Sequence, residues 1–163
     1  GDIQRDMIAS EGTETLIVEL EALVGGMGLR KSLPYEIAKK WKNDSIPFIK
    51  ENPYILCELN NVGFLTADKI AINRIKIPLD AIERKNAAII YALQLNESNG
   101  NVWIAATELR SVTNDLLSCD ASTQIINQIK NKNVAYEEGF VATNIAAQNE
   151  KYVAKKLLEM ARG

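Results

Sequence analysis

The sequence predicts a mainly α chain in two parts: a first half of short helices bent into two hairpins, and a second half of longer helices with one small β-hairpin. Three observations carry this. Apolar residues recur at helical spacing across most of the 163 residues. Glycine, asparagine and proline punctuate the first half at short intervals. Only three short segments, Val102 to Ala105, Asn133 to Tyr136 and Phe140 to Ala142, have the β-branched or aromatic character of strands. The division falls at Lys76 to Pro78, giving regions 1–76 and 77–163.

The first helix runs from Thr13 to Leu23, with Leu16, Val18, Leu20 and Leu23 apolar, Ile17 and Val24 widening the face, and Gly25-Gly26 as terminator. Ser32 caps a second helix carrying Ile37, Ala38 and Trp41, in which Pro34 is tolerated because it lies in the first turn. Asp44 or Ser45 starts a third, and Pro53 opens a fourth. Phe64, Ala67, Ile70 and Ala71 mark the buried face of the next helix, with Lys69 directed to solvent or phosphate.

Leu79 to Leu95 reads as a long helix through Ile82, Ala87, Ile90, Tyr91 and Leu93. After it come the strand at Val102 to Ala105, helices over Thr107–Leu117 and Ala121–Lys130, and a hairpin around Glu137-Glu138-Gly139. Helix, strand, helix, helix and two-stranded wing is a winged-helix order. A last amphipathic helix, Ile145 to Met160, is expected to pack inward through Tyr152, Val153, Leu157 and Leu158.

Chemistry concentrates in Asn52 to Ala71, two short helices around Asn61-Val62-Gly63. This is a helix-hairpin-helix signature, whose turn usually reads glycine, aliphatic, glycine. Gly63 is expected to take positive φ, and Asn61 stands in for the other glycine because asparagine tolerates the left-handed region. Such a turn leaves N–H groups at the start of the following helix open to an anionic oxygen such as a nucleic-acid phosphate. Equally, a glycine or asparagine turn is a common helix stop in any packed helical domain.

Composition narrows the classes. With 47% hydrophobic residues the chain can bury a core, and it has no apolar run long enough to span a bilayer. It has no histidine, which removes imidazole triads and His-ligated zinc. Cys57 and Cys119 show no metal spacing and read as small apolar residues, which fits a reducing cytoplasm. No GxxxxGK(S/T) loop occurs, and no catalytic residue, metal site or cofactor site stands out. Net charge is −2 but uneven: residues 1–29 hold one basic against six acidic residues, 30–76 nine against five, and 77–163 nine against ten. The basic excess therefore sits on the hairpins, where phosphate would dock.

Asn52-Pro53-Tyr54, Leu56, Val62-Gly63-Phe64, Thr66-Ala67-Asp68 and Ile70-Ala71 together resemble the NPY…GhGF.TAD.IA pattern that precedes the motor domains of RecD-like DNA helicases, the long, RecBCD-independent form of the exodeoxyribonuclease V alpha or RecD/TraA family. Upstream, Gly28, Ile37, Trp41 and Asn43-Asp44 fall where that family has an earlier, less regular hairpin. Two departures stand out: Asn61 replaces a glycine, and Pro34 replaces the usual alanine of the upstream hairpin.

The resemblance implies a non-catalytic accessory region before an ATP-dependent helicase that moves 5′-to-3′ in DNA repair or recombination. The motor of the same polypeptide would hold ATP and Mg, and this region would meet DNA, single-stranded and without regard to sequence. DNA contacts are expected at Asn61, Val62, Gly63, Phe64, Thr66 and Lys69, and at Gly28, Arg30 and Lys31 of the upstream hairpin. The alternative is a stand-alone winged-helix adaptor or regulator binding a protein partner or duplex DNA. For that reading the second helix of the winged order offers Ser122, Thr123, Gln124, Asn127, Gln128 and Lys130, while Glu137 and Glu138 at the wing tip would repel phosphate.

Overall fold

The computed structural model describes the backbone of residues 2–162 and the side chains of residues 12–162. It forms two compact units, residues 1–78 and 79–163.

Among the described residues the first unit holds four α-helices: α1 (Asp2–Val24), α2 (Leu33–Trp41), α3 (Ser45–Glu51) and α4 (Phe64–Ile70). A 3-10 turn at Lys42–Asp44 joins α2 to α3, a longer one at Pro53–Glu58 follows α3, and α4 runs on into a π turn at Ala71–Ile75. Leu20 and Val24 of α1 pack with Leu33 and Ile37 of α2, Ile49, Leu56 and the α4 face Phe64, Ala67, Ile70 and Ala71, all at most 2% exposed. Val18, by contrast, points to water: the apolar face of α1 is wider than one neighbouring helix can cover. The fourth segment is a short 3-10 stretch that ends where Leu59 is already extended. Ser32 does not cap α2 through its side chain; its Oγ donates to Glu36 Oε2 instead.

The second unit contains α5 (Ile82–Ser98), β1 (Ile104–Ala105), α6 (Ala106–Leu117), α7 (Ser122–Lys130), β2 (Ala135–Glu137), β3 (Phe140–Ala142) and α8 (Asn144–Arg162). The winged-helix-like order is realised as an antiparallel sheet β1-β3-β2, with Ile104 opposite Val141 and Tyr136 opposite Val141 on its other side. Glu138 and Gly139 both have positive φ, the geometry that closes a two-residue hairpin. α6 and α7 pack on α5 through Leu109, Thr113, Leu117 and Ile125.

Two faces differ from expectation. On α5 the buried stripe is Arg84, Ala88, Ile89, Ala92 and Leu93, whereas Ile82 and Ile90 face solvent. The helix turns this way because the Arg84 guanidinium bonds the carbonyls of Leu79 and Leu117, each at 2.8 Å. On α8, Tyr152, Val153, Leu157 and Leu158 are 54–61% exposed rather than packed inward, and Ala147 is its buried residue. Amphipathic spacing defines a stripe, but burial needs a neighbour, and no described element of this unit covers that part of α8.

The α6–α7 corner is set by Asp120. Its carboxylate accepts from Ser122 Oγ at 2.6 Å, Ser122 N at 3.1 Å and Asn114 Nδ2 at 3.3 Å. These bonds, the Ser122 hydroxyl first, hold its pKa below the usual aspartate range. Because the folded value is depressed, the stabilisation is complete above the unfolded aspartate range and is lost as pH falls through the folded value. Asp120→Asn should therefore shallow the acid limb of a stability-against-pH curve followed by Trp103 fluorescence; an unchanged limb would show that the corner does not depend on this charge.

Candidate nucleic-acid interface

The second hairpin is built around its own motif residues. Asn52 is extended (φ −147°, ψ 96°), and its Oδ1 accepts from Tyr54 N at 3.1 Å, which starts the 3-10 turn at Pro53. The Tyr54 ring stacks on Phe64 with centroids 5.6 Å apart and planes at 12°, and its hydroxyl donates to Asp68 Oδ1 at 2.5 Å. The two arms are thus tied across the turn by residues fourteen positions apart. Tyr54→Phe should cost about 1.5–3 kcal/mol, the range for a bond to a charged acceptor, and urea unfolding followed by Trp41 fluorescence measures it.

Between the arms, Val62 N donates to Leu59 O at 3.3 Å, and Val62 is buried at 6% exposure as the apolar anchor of the turn. The left-handed residue is Asn61, with φ 61°. Gly63 does not have positive φ: at φ −102° and ψ −176° it is the extended N-cap of α4, and its carbonyl accepts from Ala67 N. One left-handed residue suffices to reverse the chain here, so the second position is left to begin the helix. Gly63 offers no capping side chain and is exposed, and a Cβ placed on it meets nothing within 4 Å. The space in front of the first turn of α4 is therefore open at Gly63.

The first hairpin turns through Gly26, Met27 and Gly28, all at positive φ. Two cations lock it to the second. Lys69 Nζ on α4 donates to Met27 O at 3.0 Å, and Arg30 donates to Asn60 O at 2.8 Å. Arg30 also grips Glu36 through Nε at 2.7 Å and a second nitrogen at 3.0 Å, and this pairing, more than any other cause, holds the Glu36 carboxyl below the usual glutamate range. Farther along the same chain segment, Arg74 donates to the carbonyls of Ala22 and Gly25, satisfying the C-terminal end of α1.

The nine residues expected to meet DNA thus separate by position. Asn61, Gly63, Lys69, Gly28 and Lys31 are all exposed; Thr66 and Arg30 are half-buried; Val62 and Phe64 are core. Arg30 and Lys69 each spend a donor on a carbonyl of the opposite hairpin. Sequence reasoning passed over Tyr54, Asp68 and Arg74 as contributors to the site's rigidity. The i to i+14 spacing of Tyr54 and Asp68 within one motif was a usable signal; nothing local marked Arg74. Cys57 is exposed rather than core, and partial burial of its thiol pushes its pKa up.

In the second unit three of the six residues of the expected base-reading inventory bond within the fold, while Thr123, Asn127 and Lys130 are exposed. Gln124 and Gln128 each donate to Asn86 Oδ1 at 2.6 Å, and Ser122 donates to Asp120. Among the described residues no group of three or more His, Cys, Asp or Glu side chains could hold a metal ion, and no helix is long and apolar enough to cross a membrane.

Two short helical hairpins, clamped turn to turn with their glycine and asparagine backbone at the surface, define a tandem helix-hairpin-helix unit. The chain belongs to the family of the ATP-dependent RecD2 DNA helicase HHH domain, which it matches over residues 11–103, taking in the hairpins and α5. It is 34% identical over 89 residues to the ATP-dependent RecD2 DNA helicase of Deinococcus radiodurans, an overlap of 55% of this chain and 12% of that protein. The chain thus spans a small part of the length of its relative.

Proposed function

We propose that this chain is the non-catalytic accessory region of a RecD-like ATP-dependent DNA helicase and that its clamped hairpins touch the DNA backbone without reading base sequence. In this reading the motor lies in the same polypeptide, binds ATP and Mg there, and moves 5′-to-3′ on single-stranded DNA in the cytoplasm, serving repair or recombination. The hairpins would hold the strand ahead of or behind the motor. The observation that carries the reading is Gly63: an exposed, extended N-cap without a side chain, over open space, in a turn fixed from both sides. A phosphate oxygen placed there would accept from the N–H groups of Leu65 and Thr66, the positions an N-cap acceptor reaches. Lys31, exposed beside the first turn, would add charge, while Arg30 and Lys69 would act by holding the two turns in register.

Gly63→Asp tests this directly. Gly63 already has N-cap geometry, so an aspartate there should bond first-turn N–H groups itself and raise stability by roughly a few tenths of a kcal/mol. The same carboxylate occupies and repels the phosphate position, so affinity for a short single strand at low salt should fall. The slope of log affinity against log salt should also shrink by roughly 0.7 for each phosphate that the variant no longer engages. A folded Gly63→Asp chain that binds DNA like the parent would reject the hairpin as the binding element. Gly63→Val, with no positive φ to strain, is expected to be tolerated by the backbone.

A further inference from the structure

The second unit carries a groove that the DNA reading leaves unused. It lies between the start of α6, the exposed side of α7 and β2, with a volume of about 480 Å³, within the usual range of roughly 300–1,000 Å³ for binding pockets. Ile125, Ile129 and the half-exposed Ile126 and Tyr136 line it, and Arg110 and Lys130 stand among them. No acidic residue lines it. Strand alternation puts Glu137 on the face opposite Tyr136, where Lys151 pairs with it at 3.3 Å. Asp120, 3.7 Å from Arg110, has its carboxylate held by Ser122 and Asn114, and both partners of that pair are about 60% exposed. Water and an incoming carboxylate can therefore compete for Arg110.

We propose that this groove docks a short acidic-apolar peptide segment of a partner protein. The apolar side chains would bury against Ile126, Ile129 and Tyr136, while flanking carboxylates meet Arg110 and Lys130. An apolar slot with only cations among its charged residues selects that pattern, since an apolar anchor supplies affinity and a guanidinium favours a carboxylate. The α7 side of the groove extends from Ser122 to Lys130, about 12 Å of helix, a length suited to a peptide rather than to a compact metabolite. Nucleic acid fits less well. The groove offers isoleucines where base edges would need donors and acceptors, and the Gln124 and Gln128 amides are turned to Asn86.

The test uses the whole 163-residue chain and a fluorescein-labelled octapeptide alternating Asp or Glu with Leu or Phe, followed by anisotropy. Two control peptides replace every acid by Lys or every apolar residue by Ser. The acidic-apolar peptide is expected to bind at least about tenfold more tightly than either control. Ile126→Glu and Lys130→Glu, both at solvent-accessible positions and checked for unchanged circular dichroism, should each weaken it by about fivefold or more. The proposal is overturned by equal binding of the lysine peptide, by unchanged affinity in both folded variants, or by displacement of the peptide by a duplex oligonucleotide. Concentration-dependent self-association abolished by Ile126→Glu would overturn it too, by assigning the groove to a second copy of this chain.

Discussion

Phe64→Ala is expected to destabilise the first unit by about 3–5 kcal/mol, the range for removing a fully buried phenylalanine. Phe64 is 2% exposed, and no larger fully buried side chain is present among the described residues. It stacks on Tyr54 and fills the space under the turn that aims the first residues of α4. The loss joins the transfer of an aromatic ring to a cavity that the clamped hairpins cannot close, because Arg30 and Lys69 hold both turns in place. Urea denaturation of a Trp103→Phe background, in which Trp41 is the sole tryptophan, reads this unit alone. A loss under about 1 kcal/mol would mean that the ring is not a core element. Phe64→Leu supplies the functional half of the experiment. It keeps most of the volume, so DNA affinity close to the parent is expected if Phe64 serves as core, and a steep loss in a folded Phe64→Leu chain would assign it a base-stacking role instead.

Arg84→Met should cost the second unit about 3 kcal/mol, since two hydrogen bonds from a charged donor are lost and two carbonyls are left short of a partner. Arg84 is 5% exposed, and one of the carbonyls it bonds, that of Leu117, closes the C-terminal end of α6. Methionine fills the volume but offers no donor. Arg84→Lys should recover only part of the loss, because an ammonium on a flexible stem does not reproduce the planar fork of guanidinium. Trp103 fluorescence in a Trp41→Phe background measures both variants. Full stability in Arg84→Met would show that burial of this arginine is incidental to the packing of α5 on α6.

Much of this was legible in the sequence because it depends on neighbours along the chain. The period of apolar residues located most of the helices to within a few positions, Pro53 marked a helix start, and Asn61 and Gly139 marked turns through backbone preferences that each residue carries with it. The NPY and TAD elements singled out the hairpin for the same reason, being packed into twenty consecutive residues. Where expectation and structure part locally, at Gly63, two residues of one turn were both able to take positive φ, and the chain needed only Asn61 to do so.

What the sequence by itself determined is therefore the set of elements, their order, and the turn that can present helix N–H groups to an anion. Only the tertiary structure decided which faces are dry and which charges are available. Arg30 and Lys69 read as phosphate ligands until Asn60 and Met27, thirty and forty-two residues away, supply carbonyls that take a donor from each. Nothing along the chain marks Arg84 for burial, and it is Leu117, thirty-three residues on, that requires it inside, while the apolar stripe of α8 reads as core although no described element of its unit covers it. Backbone preference and periodicity are properties of a segment, whereas burial and hydrogen-bond satisfaction are properties of pairs that meet only when the chain has folded.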